Sequence, residues 1–237
     1  MNNDIKHPTD ELRRSPLYRY HELNNASYVA RAGGLVVESY LHENESTRSA
    51  NSLALVDLSC LNRVGFKGTD TPSWLEEQAL QLPEQPNQAI LDNEGVLVAR
   101  LSDNEFIALD ATAEDGLKID SLRNNWSMDI GKRSYLLERA DTHAWFAMTG
   151  EFASQVLSKV CAVDMRPHKF DQLMVAQTSV ARANSIVVRA DQGSTLCFHI
   201  LADLSTSEFM WEGLLDAMQE FNGEAVGLTA FQKLTAI

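Results

Sequence analysis

Apolar residues fall into short runs along this chain, and several runs pass through a turn into a helical stripe. Tyr28-Val29-Ala30 and Leu35-Val36-Val37 read as short strands around a turn at Gly33-Gly34. Leu53 to Asp57 and Arg63 to Lys67 read as two more. A turn at Gly68-Thr69-Asp70 then leads into a helix, with Thr71 expected as N-cap and Pro72 at the first helical position, where its missing N–H costs nothing. Trp74, Leu75, Gln78 and Ala79 keep helical spacing. The same unit returns at residues 144–160: a strand through Trp145-Phe146-Ala147-Met148, a turn at Thr149-Gly150-Glu151, and a stripe of Phe152, Val156, Leu157 and Val160. Gly68 and Gly150 occupy equivalent places, so a duplicated strand–turn–helix element is expected.

A third unit closes the chain. Leu196, Phe198 and Ile200 mark a strand, Ser205 to Glu208 fits a capping box, and Trp211, Leu214, Leu215, Met218 and Phe221 form a helix that Gly223 ends. Long strands are expected at 96–110, 134–148 and 176–190, and with few helices between them the fold class is α+β. The polar stretch 42–52 reads as a loop or a solvated helix, and residues 1–14 as a frayed start. The remainder, 15–237, reads as one domain of two interleaved subdomains, approximately 15–140 and 141–237.

Composition narrows the function. With 20 Lys+Arg against 33 Asp+Glu, the net charge is −13, and neither half offers the positive footprint that nucleic acid or an anionic membrane requires. The start of the chain has no apolar core for a signal peptide, and no apolar run approaches the ~20 residues of a membrane span. Cys60, Cys161 and Cys197 are widely separated, which disfavours a cysteine-spaced zinc site. A cytoplasmic protein is expected.

Catalytic signals are sparse. The six histidines show no metal-ligand spacing, and His199 points to the strand face opposite Phe198 and Ile200, where it reads as an interior or rim imidazole bonded to a neighbour. Gly65 and Gly68 read as turn residues and not as a phosphate cradle. Glu76-Glu77 and Glu114-Asp115 read as solvated acids, because a catalytic carboxylate needs burial or a partner to tune it. Asp164 and Arg166 are expected to pair with each other or with backbone in the connection after the second helix. No catalytic residue and no metal site is assigned.

The order of these segments resembles the aminomethyltransferase (glycine-cleavage T-protein) superfamily, which includes the gamma subunit of heterotetrameric sarcosine oxidase. The resemblance rests on Ser15-Pro16-Leu17-Tyr18 with His21, on Ala32-Gly33-Gly34 and Tyr40, and on Ala54 to Ser59 followed by Val64 to Asp70. It continues through Ala147 to Ala153, with Glu151 where proline is usual, and through Phe198-His199-Ile200 into Phe209 to Leu215. It covers roughly residues 15–222. It implies a folate-binding-domain-like fold with antiparallel sheets around a central hole, and the family's C-terminal barrel domain is expected to be lacking here. Tetrahydrofolate is the cofactor it implies, with no metal and no flavin or nicotinamide held by this chain.

The departures bear on activity. The family's acidic pair would fall nearest Ala99-Arg100, the pterin-binding Glu matches His199, and Leu35 replaces the Trp after the paired glycines. Imidazole cannot accept from a pterin's adjacent N–H donors as a carboxylate does. The cysteines lack the context that marks the family's iron–sulfur-assembly branch. The expectation is therefore a catalytically degenerate folate-domain protein of one-carbon or methylamine metabolism, similar to the gamma subunit, with flavoprotein partner subunits. The alternative is an active tetrahydrofolate-dependent aminomethyltransferase, relying on Asp92, Glu94 or Asp103 as the missing acid. A third reading reassigns the pocket to another small anion or heterocycle. Tyr40, Arg100, Arg189 and His199 are the ligand-pocket candidates.

Overall fold

The computed structural model describes His7 and residues 13–31, 33–40, 51–110 and 116–234. The expectations for residues 42–50 and for Glu114-Asp115 lie outside the described residues. In chain order the strands begin with β1 (Arg13–Arg14), β2 (Ala26–Arg31), β3 (Gly34–Tyr40), β4 (Ala54–Asp57) and β5 (Arg63–Lys67). Next come β6 (Gln88–Leu91), β7 (Val96–Ser102), β8 (Glu105–Asp110), β9 (Tyr135–Leu137) and β10 (His143–Thr149). The last are β11 (Val175–Val180), β12 (Ala183–Arg189), β13 (Cys197–Asp203) and β14 (Glu224–Ala225).

They form a three-stranded sheet ordered β1-β3-β2, a six-stranded sheet β11-β12-β13-β10-β4-β14 and a five-stranded sheet β6-β7-β8-β5-β9. All pairings are antiparallel except β1 with β3 and β14 with β4. The chain passes from the six-stranded sheet into the five-stranded one between β4 and β5 and returns at β10.

Packing explains why the strands read as apolar runs without clean alternation. Successive side chains point to opposite faces, and here both faces of the central strands are covered. In β10, Ala144, Phe146 and Met148 face a cluster with Val156, Leu157, Trp211 and Leu214 of the helices Ala153–Val160 and Ser207–Met218. Trp145 and Ala147 face the other way, into a cluster with Leu97, Ala99, Leu101, Ile107 and Leu109 of the five-stranded sheet. The far face of that sheet packs Phe66, Val98 and Phe106 against Trp74, Leu75, Ile119 and Leu122 of helices Thr71–Glu77 and Leu117–Asn125. The order is helix, sheet, sheet, helix, and a single apolar cluster joins the two inner sheet faces.

The duplicated unit is visible in the backbone. β5 and β10 are each followed directly by a glycine with positive φ, Gly68 at 148° and Gly150 at 110°, and then by a helix. The Gly68 amide donates to the Asn104 carbonyl and the Gly150 amide to the Leu196 carbonyl, both at 2.9 Å. A Cβ at either position would collide with a backbone carbonyl, of Arg133 or of Ser52.

Several local expectations are corrected. The span 96–110 is the hairpin β7–β8 and the span 176–190 is the hairpin β11–β12. The second turn was hidden because Ala181 and Arg182 adopt φ of 46° and 67°, a left-handed geometry usually signalled by Gly or Asn. The span 134–148 is interrupted by the one-turn helix Arg139–Thr142. Gly65 lies within β5, not in a turn, and a Cβ there would come within 2.9 Å of the Arg139 side chain. Asp70, not Thr71, is the N-cap residue, because the Thr71 hydroxyl bonds Ser134 Oγ at 2.9 Å. The capping box at 205–208 is replaced by a short 3₁₀ turn in which Asp203 accepts from the Ser205 amide at 2.9 Å. At the C-terminal end of that helix, Asn222 takes the left-handed φ expected of Gly223. Arg13 and Arg14, read as frayed, pair with Gly34 and Leu35.

Candidate functional site

The sequence candidates do not share one pocket. His199 lies on the inner face of β13, wholly buried. The indole Nε1 of Trp145 donates to its Nδ1 at 3.0 Å, and Cys197 Sγ lies 3.8 Å from its Nε2. Burial lowers its pKa to about 4, so the ring is neutral near pH 7. Ala99 is also fully buried, in the cluster that carries Trp145.

Arg100 projects toward a loop instead. Its guanidinium donates to the carbonyls of Pro83 at 3.1 Å, Glu84 at 2.7 Å and Asp103 at 3.1 Å. It ties residues 83–84 to the β7–β8 hairpin. Arg189 makes a two-point ion pair with Asp191, at 3.1 and 2.7 Å, and donates to the Phe170 carbonyl at 2.7 Å. Two of the three suggested substitute acids are engaged too. Asp92 Oδ1 accepts from the amides of Glu94 and Val96, which closes its own turn, and Glu94 pairs with Lys118 at 2.8 Å. Asp103 is exposed. Asp164 and Arg166 pair with each other at 2.5 Å, as the sequence implied.

Tyr40 belongs to a buried polar network that sequence reasoning did not assemble. The Tyr40 hydroxyl meets His21 Nδ1 at 2.7 Å, and His21 Nε2 meets Asp57 Oδ2 at 2.9 Å. Ser15 Oγ donates to the same carboxylate oxygen, and the Ser59 amide donates to Oδ1 at 2.9 Å. Burial alone would raise the Asp57 pKa. The bonds and charge from His21, with those from Ser15 and Ser59, outweigh burial and hold it below the ordinary value. Three segments far apart in sequence, the helix Tyr18–Leu23, β3 and β4, are thereby fastened together. The signal was present, since Ser15, His21, Tyr40 and Asp57 all lie in the segments that carry the family resemblance.

Arg63 is a second buried hub. It is wholly buried and donates to five main-chain carbonyls: Ser59 and Leu61 at 2.9 Å, Ala140 at 3.0 Å, Arg139 at 3.1 Å, and His143. Burial lowers its pKa to about 10, so it remains a cation. The helix Arg139–Thr142 interrupts the expected strand where these carbonyls must turn inward. Beside it, His143 is pushed down to about 4, first by burial and then by Arg139 and Arg63. Among the described residues, no group of three or more His, Cys, Asp or Glu could hold a metal ion. No helix among them is long and apolar enough to cross a membrane.

A helix-covered pair of antiparallel-rich sheets, built from duplicated strand–glycine–helix units, defines a folate-binding-domain type of fold. The family model described as the GCVT N-terminal domain matches residues 17–236, and the chain belongs to that family. It is 22% identical over 240 residues to an aminomethyltransferase of Clostridium botulinum (strain Okra / Type B1), covering 93% of this chain and 62% of the relative. Among solved structures it matches a chain of heterotetrameric sarcosine oxidase from Corynebacterium sp. U-96, with a TM-score of 0.65 and 21% identity. That match covers 90% of this chain and 98% of the other. It also matches the glycine cleavage system aminomethyltransferase T from Bartonella henselae, with a TM-score of 0.68 and 17% identity over 94% of this chain and 62% of that one. The chain thus spans somewhat under two thirds of the aminomethyltransferases it matches.

Proposed function

We propose that this chain is a catalytically silent member of the family, acting as a subunit of an amine-oxidising or one-carbon complex whose flavin is held by partner chains. The observation that carries this is the inner face around His199. A neutral imidazole is consumed there by Trp145, and Ala99 packs in the core near where an acid is expected. A pterin's paired N–H donors call for an acceptor-only carboxylate, and positioning a one-carbon acceptor calls for a fixed acid. Asp92 and Glu94 are spent on their own turn and on Lys118. The structural likeness to a chain of heterotetrameric sarcosine oxidase supports a subunit role. The cytoplasm is the proposed compartment, consistent with three free, buried cysteines.

Tetrahydrofolate titrated calorimetrically into the purified full chain should give no saturable heat. Co-expression with flavin-containing subunits encoded beside its gene should yield a stable complex. Stoichiometric folate binding together with methylene-group transfer from an amine donor would instead establish the alternative, an active aminomethyltransferase.

A further inference from the structure

An open cleft of about 390 Å³ lies at one end of the inner face of the six-stranded sheet. It is lined by His143 of β10, Gln177 and Thr178 of β11, residues 184–186 of β12 and Leu201 of β13. Its size falls in the range of small-molecule sites. It is distinct from the His199 position, which is sealed; Leu201 is the next inward-facing residue of β13. The floor is laid across paired strands, with Gln177 opposite Ile186 and Ile186 opposite Leu201.

The surrounding charges are already matched within the chain. Arg139 pairs with Glu105 at 2.6 Å, Arg63 is saturated by carbonyls, and the Asp203 carboxylate accepts from Ser205 at 2.6 and 2.9 Å. The Thr142 hydroxyl donates to the Glu138 carbonyl at 3.0 Å, so it accepts from His143 Nδ1 at 2.8 Å. The remaining lone pair, on Nε2, faces Arg139 at 3.4 Å. His143 therefore presents an uncharged ring. An anion entering here would lose hydration without gaining an unmatched cation.

The polar edges are amides. Gln177 donates through Nε2 to Asn87 Oδ1 at 3.1 Å and to the Leu101 carbonyl at 2.6 Å, which leaves Oε1 to accept from a ligand. Asn184, exposed on the rim, supplies a donor and an acceptor side by side. Half-buried Ile186 gives an apolar base, with the fully buried Leu201 beneath it. We infer that this cleft binds a small, planar, uncharged molecule with an amide or lactam edge, its ring over Ile186 and its edge against Asn184 and Gln177. Such a site stands whether or not folate chemistry has been lost.

Nicotinamide and nicotinate differ only in an amide against a carboxylate and make a direct probe pair. In amide-resolved NMR titrations of the full chain, nicotinamide should produce saturable shifts at residues 177–178, 184–186 and 201, and nicotinate should bind several-fold more weakly. Asn184→Ala should weaken nicotinamide about two- to tenfold, the value of one neutral hydrogen bond. Asn184→Trp, at an exposed position, should block the cleft while the dispersed spectrum reports an intact fold. The inference is overturned by the absence of saturable shifts with nicotinamide, by shifts centred elsewhere, by nicotinate binding equally well or better, or by unchanged affinity in Asn184→Trp.

Discussion

Trp145 and His199 share a 3.0 Å hydrogen bond between two antiparallel strands, with both side chains fully enclosed. The indole is donor only, so the bond places the imidazole lone pair on Nδ1 and its proton on Nε2, toward Cys197. His199 is thus an internal structural partner of Trp145.

His199→Glu tests whether that one position decides ligand binding. A carboxylate there would be buried with one indole donor and no cation, which should cost about 3–5 kcal/mol at neutral pH. Urea denaturation should register the loss, and tetrahydrofolate should still give no heat, because Ala99 remains apolar. His199→Gln, which keeps an acceptor for Trp145, should cost far less.

Acid should weaken the fold in two stages. His199 and His143 have folded pKa values of about 4, below the ordinary 6.5, so their neutral forms support folding fully above pH 6.5 and that support is lost as pH falls toward 4. For His199 the contribution is about 3 kcal/mol. Asp57 is depressed below the usual carboxylate range, and its share disappears only at more acid pH. Thermal melts between pH 7 and 3 should show both limbs, and His199→Gln should diminish the first, leaving the share of His143, without changing the second.

Arg63→Met would leave five main-chain carbonyls without their donor. Loss of at least 3–5 kcal/mol is expected, and the segment 139–143 should lose protection in hydrogen exchange before the rest of the fold. Arg63→Lys should rescue only part of this, since one ammonium cannot span carbonyls that a planar fork reaches. Equal stability of the three proteins in denaturant would contradict the hub role.

The β11–β12 turn holds two non-glycine residues in left-handed geometry. Replacing the second by glycine, Arg182→Gly, should relieve about 1 kcal/mol of strain, offset in part by greater freedom of the unfolded chain. A melting temperature unchanged or raised is the expected result, whereas an ordinary Arg→Gly change in a strand would lower it.

Much of this fold was legible in the sequence because local rules governed it. The two glycine turns at Gly68 and Gly150 announced themselves through residues that favour positive φ, and the stripe Trp211, Leu214, Met218 through helical period. The hairpin at Ala181-Arg182 carried no turn residue, so its two strands read as one. The one-turn helix at Arg139–Thr142 was invisible because its cause, Arg63, lies more than seventy residues away. Ser15, His21, Tyr40 and Asp57 were each part of a recognised segment, yet nothing in their spacing said that they meet.

The order of apolar runs and turn residues determined by itself the class of fold, since secondary structure and core faces follow from periodicity along the chain, and the family was legible only as a resemblance of the motifs those segments carry. Tertiary structure decided which polar groups are used up internally and which remain on offer. Arg100 and Arg189 bind backbone carbonyls, His199 is neutral and sealed, and the amide-edged cleft beyond it draws on four strands. Hydrogen-bond satisfaction and burial depend on contacts between residues remote in sequence, and those exist only once the sheets have packed.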